Sequence, residues 1–387
     1  MSDKCIPSTN PVPLHSPLIK KVCEIISQAW GLKHTIDYNP CTTPTILNKT
    51  FFTQHIEKNP TEYMVSVKST GTRYLLVLGM YERKGFCVFV DKSMQMFEVP
   101  ILATSDYFHG SVFDGDLVCE TIQSGQYRQK YFVYDLISMK GETRKNDTFL
   151  KRYNEYFGVF DLEGKDILDM DNSKWETYAY EWAETKDKIV SLGNKFALQF
   201  YPKPFVQFLH MGSLWRNLAK TNNKSDGLVI VKSTSLASMG SDSDCIVFKW
   251  KEHHTINLII QSNYVKGKWV FKSYFYDQDK KMESSEKTFE LNKRQFYLQL
   301  KENNITESTC RYFAELHKTS FTLVGKCMCE LDEHQPILWY SVIKWQQSPI
   351  KPHTFGAIQK TLYDIHNNIP ISDLLRLNTS SIYQTVK

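Results

Sequence analysis

VSVKSTGTRYLLVLGMY (residues 65–81) is the stretch that decides the fold. Two apolar runs rich in Val and Leu flank a polar turn, Lys68-Ser69-Thr70-Gly71, and each run has the length and texture of a strand. The texture recurs in GFCVFVD (85–91), MFEVP (96–100), SVFDGDLVCE (111–120), YFVYDLIS (131–138), SDGLVIVKS (225–233) and CIVFKWK (245–251). Helices are predicted at Leu18–Trp30, where Ile19, Val22, Ile25 and Ile26 share a face, and at Lys145–Phe157 and Trp175–Leu192. Strands and helices interspersed in this way predict an α+β chain.

After Lys251 the pattern becomes a string of strands. INLIIQSNYVKGKWVFKSYFYD (256–277) reads as a hairpin turning at Lys266-Gly267, with FTLVGKCMCEL (321–331) and ILWYSVIKW (337–345) following. This spacing suits a small β-barrel of about five strands. The tail is helical again, with Ile358, Leu362 and Ile365 in register, then Pro370 and a short last helix. The expected division is therefore 1–252 (its first 17 residues a loose Pro- and Ser-rich arm), 253–350, and a helical return at 351–387 onto the large domain.

Composition sets the outer bounds. The 387 residues are 42% hydrophobic, which excludes disorder and allows a sizeable core. No run of about 18 apolar residues marks a membrane span, and MSDKCIPSTNPVPLHSP lacks the apolar region of a secretory signal. Nine scattered cysteines show neither a disulfide framework nor a zinc ribbon, so reduced thiols in an intracellular protein are expected. The net charge of +5 tolerates a polyanionic partner without arguing for one.

The chemistry-bearing residues come in a fixed order, each on a strand or at its end. They are Lys68-Ser69-Thr70-Gly71-Thr72-Arg73, Phe113-Asp114-Gly115-Asp116, Tyr134-Asp135, Ser225-Asp226-Gly227 and Lys249-Trp250-Lys251. Taken singly, each is common: Asp-Gly is a hairpin signal, and Lys-x-Lys can be two solvated side chains. Together they supply what nucleotidyl transfer through a lysine requires. An amine attacks phosphorus only when neutral, so burial or nearby cations must draw its pKa down from about 10.4. Lys249 and Lys251, two apart on one strand, would face the same way, repel the proton of Lys68 and neutralise charge on an α-phosphate. Asp116 and Asp226 could hold a divalent cation or ribose hydroxyls.

In that order these residues resemble motifs I, III, IIIa, IV and V of the covalent nucleotidyltransferases, the superfamily of mRNA-capping guanylyltransferases and ATP-dependent ligases. KSTGTRY, Lys203-Pro204-Phe205, and Lys249-Trp250-Lys251 followed by Thr255-Ile256-Asn257 are similar to the capping enzymes, and HHTINLII (253–260) resembles the form found in large DNA viruses of algae. The resemblance implies an ATP-grasp-like nucleotidyltransferase domain of antiparallel sheets with helices, plus a C-terminal OB-fold lid. It further implies that Lys68 forms the phosphoamide to GMP. Arg73 and Asp116 would contact the ribose, with Tyr134 and Val229 on the two faces of guanine and Lys203 at its edge. Asp226 would lie near the metal, Mg²⁺ or Mn²⁺, while Lys249 and Lys251 hold the α-phosphate.

The implied activity is mRNA guanylylation, with GTP and 5′-diphosphate RNA as substrates and separate triphosphatase and cap-methyltransferase partners. No membrane is involved, and the setting would be a nucleus or, for a viral chain, a cytoplasmic factory or virion. Thr70 stands where the family usually has Asp. Gln346, Ser348 and Pro349 stand where motif VI has R-x-D-K, with Lys344 and Lys351 near enough to substitute. Two alternatives stay open: a ligase that uses ATP through the same Lys68, and a chain with this fold that binds RNA ends after losing catalysis.

Overall fold

The computed structural model describes residues 7, 9–121, 127–161, 181, 183–191, 198–220, 227–240, 247–251, 254–265, 268–277, 280–283, 289–291, 321–330, 337–342 and 353–384. Of the sequence candidates, Asp226, Lys344, Gln346, Ser348, Pro349, Lys351 and the turn at Lys266-Gly267 lie outside them. The chain is a mixed α+β protein that divides into two compact units. The larger draws on residues 4–46, 53–250 and 372–387, and the smaller on 1–3, 47–52 and 251–371.

The strands of the larger unit are β1 (Thr45–Ile46), β2 (Tyr63–Val67), β3 (Thr72–Tyr81), β4 (Lys84–Asp91), β5 (Met96–Glu98), β6 (Ile101–Leu102), β7 (Ser111–Thr121), β8 (Tyr127–Met139), β9 (Glu142–Thr143), β10 (Val190–Ser191), β11 (Leu198–Pro202), β12 (Val206–Gln207), β13 (Leu228–Lys232) and β14 (Val247–Trp250). One sheet runs β11-β8-β7-β3-β4-β5 with β9 alongside β8, a second runs β1-β14-β13-β2-β12, and β6 pairs with β10.

Near-continuous apolar runs put the first sheet between two layers, because both of its faces must be covered. Tyr74, Leu76 and Leu78 of β3 join Phe89, Phe113 and Tyr131 in one core, closed by Tyr156, Val159 and Phe160 of the helix Phe149–Phe160. The intervening Leu75 and Val77 face the other way, with Val88, Val90 and Val112, onto Val22, Ile25 and Ile26 of the helix Pro17–Ala29. That helix starts at Ser16, whose hydroxyl accepts the Leu18 N–H, with Pro17 preset in the first turn.

Three sequence expectations are corrected. The second helix starts at Phe149 rather than Lys145, because Thr148 caps it by accepting the Lys151 N–H. Helix Trp175–Leu192 stops after Thr185, where Asp187 takes a left-handed φ of 52° and Val190–Ser191 pairs with β6 instead. Cys23, Cys41 and Cys87 are buried free thiols, but Cys119 is disulfide-bonded.

The smaller unit holds β15 (Thr255–Val265), β16 (Lys268–Asp277), β17 (Lys280–Glu283), β18 (Phe289–Leu291), β19 (Phe321–Glu330) and β20 (Ile337–Val342), in sheet order β17-β16-β15-β19-β20-β18. The helix Phe355–His366 is capped by Thr354 and stacks Phe355 on Phe275 of β16, with ring centroids 5.5 Å apart. The last helix, Ile371–Gln384, carries Arg376, which lies 3.7 Å from Glu57 in the larger unit to which both belong. No described helix is long and apolar enough to cross a membrane.

Gly115 is required by packing: a Cβ there would lie 2.5 Å from the Phe132 carbonyl and 2.6 Å from the Tyr131 ring. Gly115→Ala should destabilise the protein by about 1–3 kcal/mol, as overpacking does. Urea denaturation would show this as a lowered midpoint at unchanged slope.

Candidate active site

The chain leaves the second sheet at Val67, the end of β2, and enters the first at Thr72, the start of β3. Lys68 opens the four-residue link. Its N–H donates to the Gly227 carbonyl at 2.8 Å, continuing the pairing of Val67 with Leu228. Gly227 has a φ of 127°, which side-chain-bearing residues avoid, and this explains the glycine that precedes β13. At the far end of the link, a Cβ on Gly71 would meet the Leu117 carbonyl at 2.6 Å. The link is thus tied to β13 at one end and pressed against β7 at the other, and Gly71 and Gly227 are backbone requirements of that passage.

The face of the first sheet that is apolar over the helix Pro17–Ala29 turns polar toward this link. Along β3 the alternate positions run Val77, Leu75, Arg73, and along β7 Val112, Asp114, Asp116. Arg73 donates from Nε to Asp114 at 2.9 Å, makes a second contact to the same carboxylate through Nη2, and donates from Nη1 to the Thr42 carbonyl at 2.6 Å. Burial alone would work against this guanidinium, but the adjacent Asp114 carboxylate holds its pKa above the ordinary value.

β8 reaches the site through two irregularities. Its register with β7 slips between Val112 and Phe113 and again between Asp114 and Gly115, leaving Ile137 and Tyr134 without a partner across the ladder. Bulges re-aim side chains, and both residues line the cavity described next. Between them, Asp135 receives Arg152 from the helix Phe149–Phe160, at 2.7 Å from Nε and 3.0 Å from Nη2. Arg152 is almost fully buried and also donates to the Asp147 and Ser235 carbonyls.

These elements enclose a cavity of about 270 Å³. Lys68, Arg73, Asp116, Tyr134, Lys203, Val229 and Lys249 all line it, so seven of the nine sequence candidates share one site. Asp226 lies outside the described residues. Lys251 belongs to the smaller unit. β14 ends at Trp250, so the alternation that would have set Lys251 on the face of Lys249 stops one residue short.

Lys203 is buried, with its ammonium 2.9 Å from the Ser69 hydroxyl and 3.3 Å from Asp116. Burial pushes its pKa below the usual lysine value, Asp116 opposes the shift, and Lys68 reinforces it. Tyr134 has the Lys203 ammonium 5.3 Å and the Arg73 guanidinium 5.6 Å from its ring centroid. Burial pushes its phenol well up, Arg73 pulling against the neighbouring carboxylates. Among the described residues no group of three metal-ligand side chains forms, and the three cavity carboxylates are paired, Asp114 with Arg73, Asp116 with Lys203 and Asp135 with Arg152.

Sequence reasoning missed Asp114 as the partner of Arg73, Ser69 as the partner of Lys203, and the Asp135–Arg152 pair. The i, i+2 spacing in Phe113-Asp114-Gly115-Asp116 was signal enough for the first. The others depend on contacts between distant segments that no local pattern shows.

Two sheets joined by a lysine-bearing link over a charged cavity define a nucleotidyltransferase of the superfamily that unites capping enzymes and ligases. A family model described as the catalytic domain of mRNA capping enzymes matches residues 7–253, and the chain belongs to that family. No curated protein is similar enough to count as a relative. Solved structures similar to the chain include a Chlorella virus DNA ligase-adenylate, at 13% identity over 79% of this chain and 100% of that one, with a TM-score of 0.32. Another is a mycobacterial DNA ligase D complexed with ATP and MES, at 12% identity over 80% and 96%, with a TM-score of 0.36.

Replacing Arg152 by Met should cost about 3 kcal/mol, since it strips the countercharge from a carboxylate that is only 20% exposed. Chemical denaturation measures this. A loss below about 1 kcal/mol would mean that Asp135 is rehydrated without difficulty.

Proposed function

We propose that this chain transfers GMP from GTP, through a covalent lysine adduct, to the 5′-diphosphate end of RNA. The observation that carries the reading is Lys68 fixed by its backbone at the rim of a cavity that also holds Lys203, Lys249, Arg73 and Asp116. Membership of the capping family supports the choice of guanine nucleotide and of RNA.

In the first step the Lys68 amine attacks the α-phosphorus of GTP. A P–N bond forms, the bond to the bridging oxygen breaks, and pyrophosphate leaves with the electron pair. The amine must first lose its proton, because an ammonium has no free electron pair with which to attack. Lys249, opposite Val229 across β13 and β14, neutralises charge on the α-phosphate. In the second step a terminal oxygen of the RNA diphosphate attacks the same phosphorus, the P–N bond breaks, and the lysine recovers a proton as the GpppN end departs.

Arg73 and Asp116 serve the ribose, Tyr134 and Val229 bracket the base, and Lys203 reaches the guanine edge once substrate displaces it from Asp116. Mg²⁺ or Mn²⁺ would be held by Asp116, Asp226 and phosphate oxygens, and would neutralise charge at the reacting phosphate. The strands after His253 form an OB-fold lid, residues 253–350. RNA triphosphatase and cap methyltransferase come from separate proteins.

Incubation with labelled GTP and, in parallel, labelled ATP tests the reading. Label should remain on the denatured protein from GTP alone, and Lys249→Ala should slow its appearance by about 10²–10³. Label from ATP alone would make the chain a ligase, and label from neither, with GTP bound, would make it an RNA-end-binding protein.

A further inference from the structure

The cavity face of the first sheet does not end at Asp116. On β7, Val118 and Glu120 follow Asp116 on the same face. Across the ladder their partners on β8 are Lys130 and Arg128, as Phe132 is for Asp116. β11 extends two of these rows, with Tyr201 beside Phe132 and Gln199 beside Lys130. The rings of Phe132 and Tyr201 stack with centroids 5.8 Å apart and planes at 29°, and both side chains are only half-buried. At about 4.8 Å per strand, Tyr201 stands about 10 Å from Asp116.

Charge surrounds the ring pair. Lys130 lies 5.9 Å from the Tyr201 ring centroid, and its ammonium is 3.0 Å from Glu120. Arg128 shares that carboxylate at 2.9 Å, so two cations meet one anion and one positive charge is left over. Tyr201 donates its hydroxyl to Gln199 Oε1 at 2.8 Å, while the buried amide nitrogen of Gln199 has no hydrogen-bond partner among the described residues.

We propose that this outward continuation of the β7-β8-β11 face binds the acceptor RNA, the bases next to its 5′ end extending the Phe132–Tyr201 stack and its phosphates meeting Lys130 and Arg128. Stacking suits the task, since an acceptor of any sequence presents a base face, and the surplus positive charge matches a phosphate chain. The direct continuity with Asp116 gives the strand a path to the reacting phosphorus. This inference rests on the guanylyltransferase reading, and its test separates the two.

The full chain is first charged with GTP, and adduct formation is timed. Transfer from the adduct is then measured to a 5′-diphosphate oligoribonucleotide and to a nucleoside diphosphate. The wild type should reach half-maximal transfer at an oligonucleotide concentration at least about tenfold below that of the nucleoside diphosphate. Tyr201→Ala should shrink that gap about tenfold with adduct formation from GTP unchanged. Lys130→Ala, which leaves both rings in place, should reduce the slope of log affinity against log salt by about one for the oligonucleotide. Normal adduct formation with an unaltered gap and salt slope in both variants would overturn the platform. No adduct from GTP in the wild type would instead overturn the functional reading. Should Tyr201→Ala fail to form adduct, the Lys130→Ala salt slope alone decides.

Discussion

The backbone bond from the Lys68 N–H to the Gly227 carbonyl joins the end of one strand to the start of another at the point where the chain changes sheets. Either sheet could form without it, but the lysine side chain would then have no fixed origin. Gly227 permits the tie by its left-handed φ, and Gly71 permits the link to lie against β7. A position defined to a fraction of an ångström matters where an amine must approach a phosphorus in line. The glycines of these motifs therefore serve geometry, while Lys68, Lys203 and Lys249 supply charge.

Around that fixed point the protein keeps charges inside by pairing them. Asp114 is held by Arg73, Asp135 by Arg152 and Asp116 by Lys203. Asp114 is buried and the other two are half-buried, so leaving any of them without its partner would be costly. Paired, each holds its element in place: Asp114 ties β7 to β3, and Asp135 ties the bulged part of β8 to the helix beneath it. The Lys203–Asp116 pair differs, because both groups line the cavity and, on the proposed function, both would serve the nucleotide. Substrate binding would then exchange one set of charge contacts for another.

Much of this was legible in the sequence. The Val- and Leu-rich runs of β3 and its neighbours read as strands, and Ile19, Val22, Ile25 and Ile26 placed the first helix at Leu18–Trp30, within a residue of its ends at Pro17 and Ala29. The ordered motifs brought seven of the nine site candidates into one cavity. What stayed hidden was non-periodic or long-range. A bulge breaks the alternation from which strands are read, so nothing local told that Tyr134 and Ile137 would leave the ladder. Val190–Ser191 was absorbed into a helical pattern because two-residue strands have no pattern of their own, and their pairing with β6 is set by the fold.

On the proposed function, backbone placement, and not merely lysine chemistry, would make Lys68 the group that carries the nucleotide. Three lysines share the cavity, and two of them, Lys203 and Lys249, are the natural competitors. Peptide mapping by mass spectrometry after reaction with GTP reads the answer directly. The mass of one GMP is expected on the peptide containing Lys68, with the peptides of Lys203 and Lys249 unmodified. A nucleotide carried on Lys203 or Lys249 while Lys68 stays free would contradict it.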